Sequence, residues 1–409
     1  MYIDKVRLTN IRGFRDLEFS FDRGNGTYAG WTVLTGDNGS GKSTVLKCIA
    51  LLTVSARTRF LLESKFNSYI KKSQVTGKVD LYPTKTVLGH AQKIQLIAYT
   101  NNDISVSRDP PYKNEDINSN AVPFACGYGP FRRISGHSED ASRLMELPQT
   151  SCFATMFSES ASLAEADSWL RNLKYKTLEG NRQATETLNV VLDLINDEFL
   201  PNQISVDRVD SDGLWLKDRE GNKLSWSDMS DGYRAALALL TDILRHMINA
   251  HGTDDLTGRD ADGCLFLKPS GVVLIDEIDA HLHPEWQREI GFWLKKRFPN
   301  IQFIVTSHSP LICQAADPNG LFVLPEPGSD EPARALTAQE YQEVISSRPD
   351  TILRSPAFGL RNTRSDPVVA KRARYSLLQS RRRQLGQLTA EEQQELVELA
   401  PYINPDEEA

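Results

Sequence analysis

The chain has 409 residues, 40% apolar and 25% charged, with a formal net charge of −7. It is too long for one compact core and suits two lobes or one domain with large insertions, while the negative balance excludes a wholly basic nucleic-acid binder. No window approaches the ~18 consecutive apolar residues of a membrane helix, and MYIDKVRLTN lacks the basic start and apolar core of a signal peptide, so a cytoplasmic chain with no membrane partner is expected.

In chain order, YIDKVRLTNIRGFRDLEFSF alternates apolar and polar residues on both sides of a turn at 10–13 and reads as two strands. WTVLTG is a short apolar strand ending in glycine; a helix over 42–53 follows, and 54–76 reads as mixed helix rich in Arg and Lys. KIQLIAYT is a strand, the polar run 101–121 a long loop, and VPFACGYG another strand. Helical patterns fill 163–173 and 182–199, and 204–226 reads as a hairpin or meander. A long helix opens at MSDGYR and runs to about 250, before an acidic loop over 253–262. SGVVLIDEID is an apolar strand ending in acids; a helix over 284–298, a strand over 301–305 and a further helix and strand come next. The last 70 or so residues are mostly helical. Such alternation predicts an α/β fold with a mixed, largely parallel central sheet, antiparallel N-terminal strands, a helical insertion and a helical C-terminal segment.

Chemistry concentrates in a few of these places. GDNGSGKS, at 36–43, fits G-x-x-x-x-G-K-[ST] between a strand and a helix, which is the context that motif demands. Asn38, Gly39, Ser40 and Gly41 lie in the stretch whose backbone N–H groups can wrap phosphates. Lys42 can reach the β- and γ-phosphate oxygens, the Ser43 hydroxyl can ligate Mg²⁺, and Thr44 follows in the helix. ATP and Mg²⁺ are therefore the expected ligands.

VVLIDEID sets Asp276 at the C-terminal edge of a buried strand, where ligands sit in open α/β sheets. Asp276 suits the Mg²⁺ shell, and the adjacent Glu277 can polarise an attacking water as general base. In FIVTSHSP, His308 stands where it can approach a γ-phosphate; the plainer alternatives are ordinary loop acids and a histidine that caps the next helix. His281 and His283 read as a turn into the following helix, since no third metal ligand is evident. Asp210, Asp212, Asp260 and Asp262 read as turn residues. The five scattered cysteines, odd in number and without CxxC, read as plain thiols.

Ser230 and Asp231 ahead of a helix have helix capping as their plain explanation. Between Arg354 and Arg383, nine Lys/Arg face one acid, Asp366, and the tail beyond Thr389 turns acidic. That is either a nucleic-acid or partner surface, or a solvated helix whose basic part pairs with its own acidic end.

Taken together, NIRGF, GDNGSGKST, MSDGYR, VVLIDEIDAHLHP and VTSHSP, in that order, resemble the ABC-type ATPase heads of the SMC and RecF class. The resemblance implies that MSDGYR is a signature motif, with Ser230 and Gly232 contacting ATP held by a second protomer and Arg234 supporting that surface. It places Asp279 and Ala280 in a subunit-crossing loop, sets Arg12 near the nucleotide, and implies a homodimer or higher oligomer through ATP-sandwiched heads. Departures are Asp231 in the third signature place and Tyr128 where the class has a Mg²⁺-sensing glutamine, which leaves the third metal ligand unassigned.

About 185 residues separate Thr44 from the signature without sustained heptads or a zinc hook, which excludes long SMC arms. The expected layout is an N-terminal ATPase lobe with the phosphate loop (1–100), an insertion with the remaining lobe strands (101–225), a lobe with signature, acidic strand end and histidine (226–325), and a helical segment (326–409). YGPFRR, WLRNL and TILRSPAFGL are similar to antiphage defence ATPases of the Septu and retron-associated kind (PtuA-like), which implies a separate nuclease or toxin effector as partner. The alternatives are a RecF-like DNA repair clamp, with DNA as its partner, and a transporter-type ATPase subunit.

Overall fold

The two largest sheets arise from two hydropathy patterns. The computed structural model describes residues 1–24, 26–84, 93–100, 104–109, 124–132, 144–327, 329 and 331–403. The chain divides into Met1–Pro349 and Asp350–Ala409.

In the first unit, β1 (Ile3–Ile11), β2 (Phe14–Ser20), β4 (Thr76–Pro83), β5 (Lys93–Tyr99) and β6 (Ile104–Asp109) form an antiparallel sheet in the order β2-β1-β4-β5-β6. Its pairs are set by the apolar side of the pleat: Leu8 faces Leu17 and Val79, and Leu96 faces Val79. The second sheet, built on β3 (Gly30–Thr35), has strands buried from both faces, and β13 (Gly271–Ile275, GVVLI) is buried along its whole length, as parallel sheets require. With β7 (Ala125–Tyr128), β14 (Ile301–Thr306), β15 (Leu321–Val323) and β16 (Arg334–Ala335), the order is β16-β15-β3-β14-β13-β7, parallel throughout except for the β15–β16 pair. The expected α/β class with antiparallel N-terminal strands is found.

Helix α1 (Lys42–Thr53) leaves β3 through the glycine-rich loop and packs against strands of both sheets, so ten of its residues are buried. One side chain also joins the sheets directly. Gln302 Oε1 accepts from Ile3 N and its Nε2 donates to Ile3 O, both at 2.8 Å, so a fully buried amide stands in for a strand partner.

Short helices α2 (Ala56–Leu62), α3 (Pro148–Ser151) and α4 (Ala154–Phe157) precede α5 (Ala164–Leu178) and α6 (Arg182–Asn196). The expected meander follows as β8 (Ser205–Asp210), β9 (Gly213–Lys217) and β10 (Lys223–Ser225). Helix α7 (Asp231–His251) lies against α5 and α6, then come α8 (Pro284–Arg297), α9 (Pro310–Cys313) and α10 (Ala338–Ser346).

Three expectations need correction. The loop expected over 101–121 contains edge strand β6, whose Ile104 and Val106 alternate with serines; much of the remainder lies outside the described residues. The acidic loop over 253–262 holds β11 (Thr257–Arg259), paired with β12 (Leu265–Leu267) around a turn in which Asp260 Oδ1 accepts from Asp262 N and Cys264 N. Strand β4 was not foreseen; it begins where the mixed helical run ends. Asp210 likewise accepts from Asp212 N, so all four of these aspartates serve turns. The five cysteines are free, and burial pushes the Cys48 thiol up to about 12.

From the unit boundary onward the chain is helical: α11 (Pro349–Arg354), α12 (Asp366–Leu385) and α13 (Ala390–Leu399). Arg374 makes a bidentate pair with Glu395 at 2.9 and 2.7 Å, and Arg381 reaches Glu392 at 2.5 Å. For these two arginines, pairing with the chain's own acidic end is what is found. Exposed pairs of this kind contribute about 0–1 kcal/mol.

Candidate functional site

At the C-terminal edge of the parallel sheet, a cavity of about 340 Å³ is lined by Asn38–Thr44, Glu277, His308, Arg12, Phe14 and Pro325–Pro327. Most of the sequence candidates meet here. The phosphate loop needs its glycines: Gly36, Gly39 and Gly41 have φ of +141°, +81° and +93°. A Cβ on Gly41 would also fall 2.5 Å from the Phe14 ring. Helix α1 starts without a side-chain cap, so its first N–H groups remain for an external acceptor. Among the described residues the buried Ser40 hydroxyl has no hydrogen-bond partner, and Lys42 Nζ turns back onto the carbonyls of Gly36 (2.9 Å) and Asp37 (3.0 Å). An orphaned hydroxyl, open N–H groups and an ammonium held only by carbonyls form a cradle suited to a polyphosphate.

Arg12 reaches the cleft from the other sheet. Its φ is +44°, its guanidinium stacks 4.1 Å over the Tyr69 ring, and its Nη1 donates to Thr44 Oγ1 at 3.1 Å. Stacking and hydrogen bond together fix an otherwise flexible side chain beside the loop.

Asp276 is buried just behind the cleft. Thr306 Oγ1 donates to its Oδ1 at 2.6 Å, which leaves the second carboxylate oxygen as an acceptor. The same hydroxyl accepts from Glu277 N at 2.7 Å, so β14 holds both acids. Glu277 sits in the left-handed region at φ +46°. His308 lies across the cavity, and its pKa is lowered by burial and then by the Lys42 cation, which favours the neutral ring near neutral pH. Burial also lowers the Lys42 pKa, and nearby Asp276 and Glu277 oppose that shift.

The turn after Glu277 is wired to the histidine loop. Ser307 Oγ donates to Asp279 Oδ1 at 2.6 Å, while Gln287 donates to the Asp279 and Leu282 carbonyls and accepts from Ser309. His283 Nδ1 accepts from Glu285 N as the cap of α8, and His281 lies at φ +67°, so both histidines serve the turn.

Ser230 and Gly232 do not line the cavity of their own chain. Ser230 is the N-cap residue of α7, yet its side chain makes no capping hydrogen bond, and Arg234 pairs with Asp231 instead. Among the described residues the Ser230 side chain therefore caps no N–H group of α7. Gly232 is required sterically, because a Cβ there would lie 2.6 Å from the His281 carbonyl oxygen.

Two residues beyond the sequence candidates stand out. Tyr128, named above only as a departure from the class, is buried, and its hydroxyl donates to Asp242 of α7 at 3.1 Å; its carbonyl accepts from Asp276 N. Asp242 also takes Arg245 at 2.7 Å and lies 3.2 Å from His246. Burial alone pushes Asp242 up, but His246 and Arg245 outweigh it and leave the carboxyl at about 2. The second is Arg132, 4% exposed, which donates to the carbonyls of Asp276, Glu277, Ile278 and Ala280 at 3.0–3.2 Å. Burial lowers its pKa to about 10, while Asp279, Asp276 and Glu277 hold it up. The YGPFRR motif contained Arg132, but a loop arginine ordinarily reads as surface. For Tyr128 the available signal was Asp242 itself, a lone acid inside the apolar run ALALLTDIL.

A parallel sheet with a phosphate loop at its edge and an antiparallel sheet packed beside it define a P-loop ATPase head. The chain belongs to the family described as AAA domain, putative AbiEii toxin, Type IV TA system, whose model matches residues 31–314. Among curated proteins it is similar to the Septu protein PtuA of Bacillus mycoides (strain KBAB4), at 28% identity over 375 residues, covering 89% of this chain and 46% of that protein. It is also similar to the Retron Ec83 probable ATPase of Escherichia coli, at 36% identity over 159 residues, covering 38% of this chain and 27% of that one. The chain thus spans less than half the length of these two relatives. The fold is similar to a solved SMC head bound to the C-winged helix domain of ScpA, with a TM-score of 0.50 and 15% identity over 84% of this chain and 100% of that one. The likeness to Septu and retron ATPases expected from the motifs is found. Among the described residues, no helix is long and apolar enough to cross a membrane.

Proposed function

We propose that this chain binds and slowly hydrolyses ATP, pairs with a second head around two nucleotides, and controls a separate nuclease or toxin effector in antiphage defence. The observation that carries the ATPase reading is the single cavity that gathers the phosphate loop, Glu277 and His308. The pairing is supported by the start of α7, where the N-cap residue Ser230 makes no capping hydrogen bond among the described residues. The effector and the defence role are supported by the relatives named Septu PtuA and retron ATPase.

The residues divide the work by position. N–H groups from Asn38 to Thr44 and the Ser40 hydroxyl face the phosphates, and Lys42 exchanges its loop carbonyls for phosphate oxygens. Mg²⁺, held by the Ser43 hydroxyl and the Asp276 carboxylate, would offset charge on the phosphates. Glu277, held at its N–H by Thr306, accepts the proton of the attacking water. The neutral His308 ring offers one donor and one acceptor beside the γ-phosphate position. Ser230 and Gly232 present the N–H groups of α7 to the nucleotide of the facing head.

Two experiments test this reading. Ser230→Arg is expected to leave nucleotide binding by the single chain intact and to lower turnover by at least about tenfold; normal turnover would sink the cross-subunit assignment. Tagged Glu277→Gln protein, expressed with its native neighbouring genes, is expected to co-purify with a nuclease or toxin in fixed ratio. Native mass measurement showing a bare dimer that carries only DNA would overturn the effector role in favour of a DNA clamp.

A further inference from the structure

The turn that presents Glu277 is built against the backbone's preference. From Asp276 to Ala280, four carbonyls converge on one point. Glu277, at φ +46°, bends the chain inside this run, and His281, at φ +67°, bends it again just beyond. Non-glycine residues held in that region cost about 1–3 kcal/mol each, so the turn persists only where its surroundings over-determine it.

The group at the point of convergence is the Arg132 guanidinium. Nη1 donates to the Asp276 carbonyl, and Nη2 is shared among those of Glu277, Ile278 and Ala280. Two features separate this from an ordinary buried anchor. Among the described residues all of its hydrogen-bond partners are carbonyls, although a buried cation is costly to maintain without a directly paired carboxylate. Moreover, the four carbonyls belong to the residues that carry the metal-binding acid, the general base and the crossing loop.

We propose that Arg132 is a positioning residue for ATP hydrolysis: it clamps the turn from Asp276 to Ala280 so that the Glu277 carboxylate stands at working distance in the cleft. The proposal rests on the reading of Glu277 as the general base. Arg132 is absent from the cavity lining and makes no hydrogen bond to the phosphate loop, so its contribution falls on turnover and not on nucleotide binding. A base displaced by about 1 Å can lose about a hundredfold in rate. Lysine keeps the charge but offers a single point of donors where the guanidinium offers a planar fork, so it cannot hold the spread of carbonyls.

The test is a double-mutant cycle on the full chain with Arg132→Lys, Glu277→Gln and both together, alongside Arg132→Gln. Affinity for a fluorescent ATP analogue, the thermal midpoint and steady-state turnover are measured for each. Arg132→Lys is expected to bind nucleotide within about threefold of the parent, to keep its midpoint, and to lose at least about tenfold in kcat with KM unchanged. In the Glu277→Gln background it should cause no further loss, because the group it positions is gone. Turnover within about threefold of the parent in both Arg132 variants overturns the proposal. So does a multiplicative loss in the double variant, or loss of midpoint and nucleotide binding together in Arg132→Lys, which would mark a purely structural cation. Normal turnover by Glu277→Gln alone overturns the general-base reading and the role of Arg132 with it.

Discussion

Glu277→Gln is expected to lower ATP turnover by about 10²–10⁴-fold while nucleotide affinity stays near that of the parent, because general-base catalysis typically contributes that much. Glutamine has nearly the shape of glutamate but cannot accept a proton at neutral pH. The main-chain bond from residue 277 to Thr306 Oγ1 does not involve the side chain, so the turn survives the substitution. Single-turnover hydrolysis and an equilibrium titration with a fluorescent ATP analogue separate the two effects. A variant that keeps a tenth or more of the parent rate would remove Glu277 from the chemistry, and the remaining charged groups on the cavity would need re-examination, beginning with Glu326.

The second large effect concerns stability. Asp242 is almost fully buried in α7 and answers to Tyr128, Arg245 and His246 at once. Asp242→Asn retains the shape but removes the negative charge, leaving the largely buried Arg245 with Glu165 as its remaining carboxylate partner among the described residues. Breaking a buried pair in this way costs about 3–5 kcal/mol. The pH dependence has a defined sign. The folded carboxyl titrates at about 2, below its ordinary value of 3.8. Its contribution is therefore fully present above the unfolded value and is lost as pH falls through the folded one. That linkage amounts to about 2 kcal/mol between about pH 4 and pH 2. Denaturant unfolding at pH 7, 4 and 2.5 should show a wide gap between parent and variant that narrows toward acid. A gap independent of pH would mean that the loss does not come from the Asp242 charge.

How far the site was legible follows from how far its parts lie from one another in the chain. The phosphate loop occupies eight consecutive residues and carries its own strand and helix context, so glycine, lysine and serine positions were all readable. Asp276, Glu277 and His308 were readable for a related reason: each ends an apolar strand, and strand ends of a parallel sheet share one edge. The buried contacts of Arg132 and Tyr128 were not. Their partners lie 144–148 and 114 residues away, and nothing local distinguishes a buried arginine from a solvated one. Ser230 shows the middle case, since its residue type fits ordinary capping, and only the missing side-chain bond separates the two readings. In the fold, the long apolar strands were clear, whereas β6 and β11 were hidden by polar edge positions that alternate too briefly to stand out.

The single amide of Gln302 has a reach that its position does not suggest. Strands β1 and β14 are riveted together at Ile3 and Gln302, near their starts, and both run from there to the cleft, where they deliver Arg12 and Thr306. At about 3.3 Å per residue, the rivet lies roughly 13 Å from Thr306 and 30 Å from Arg12. Between the rivet and the cleft the two sheets share one apolar core, from Ile3, Val6, Leu8 and Ile11 on one side to Leu34, Val272, Leu274 and Ile304 on the other, so Arg12 and Thr306 are delivered from a common, continuously packed base.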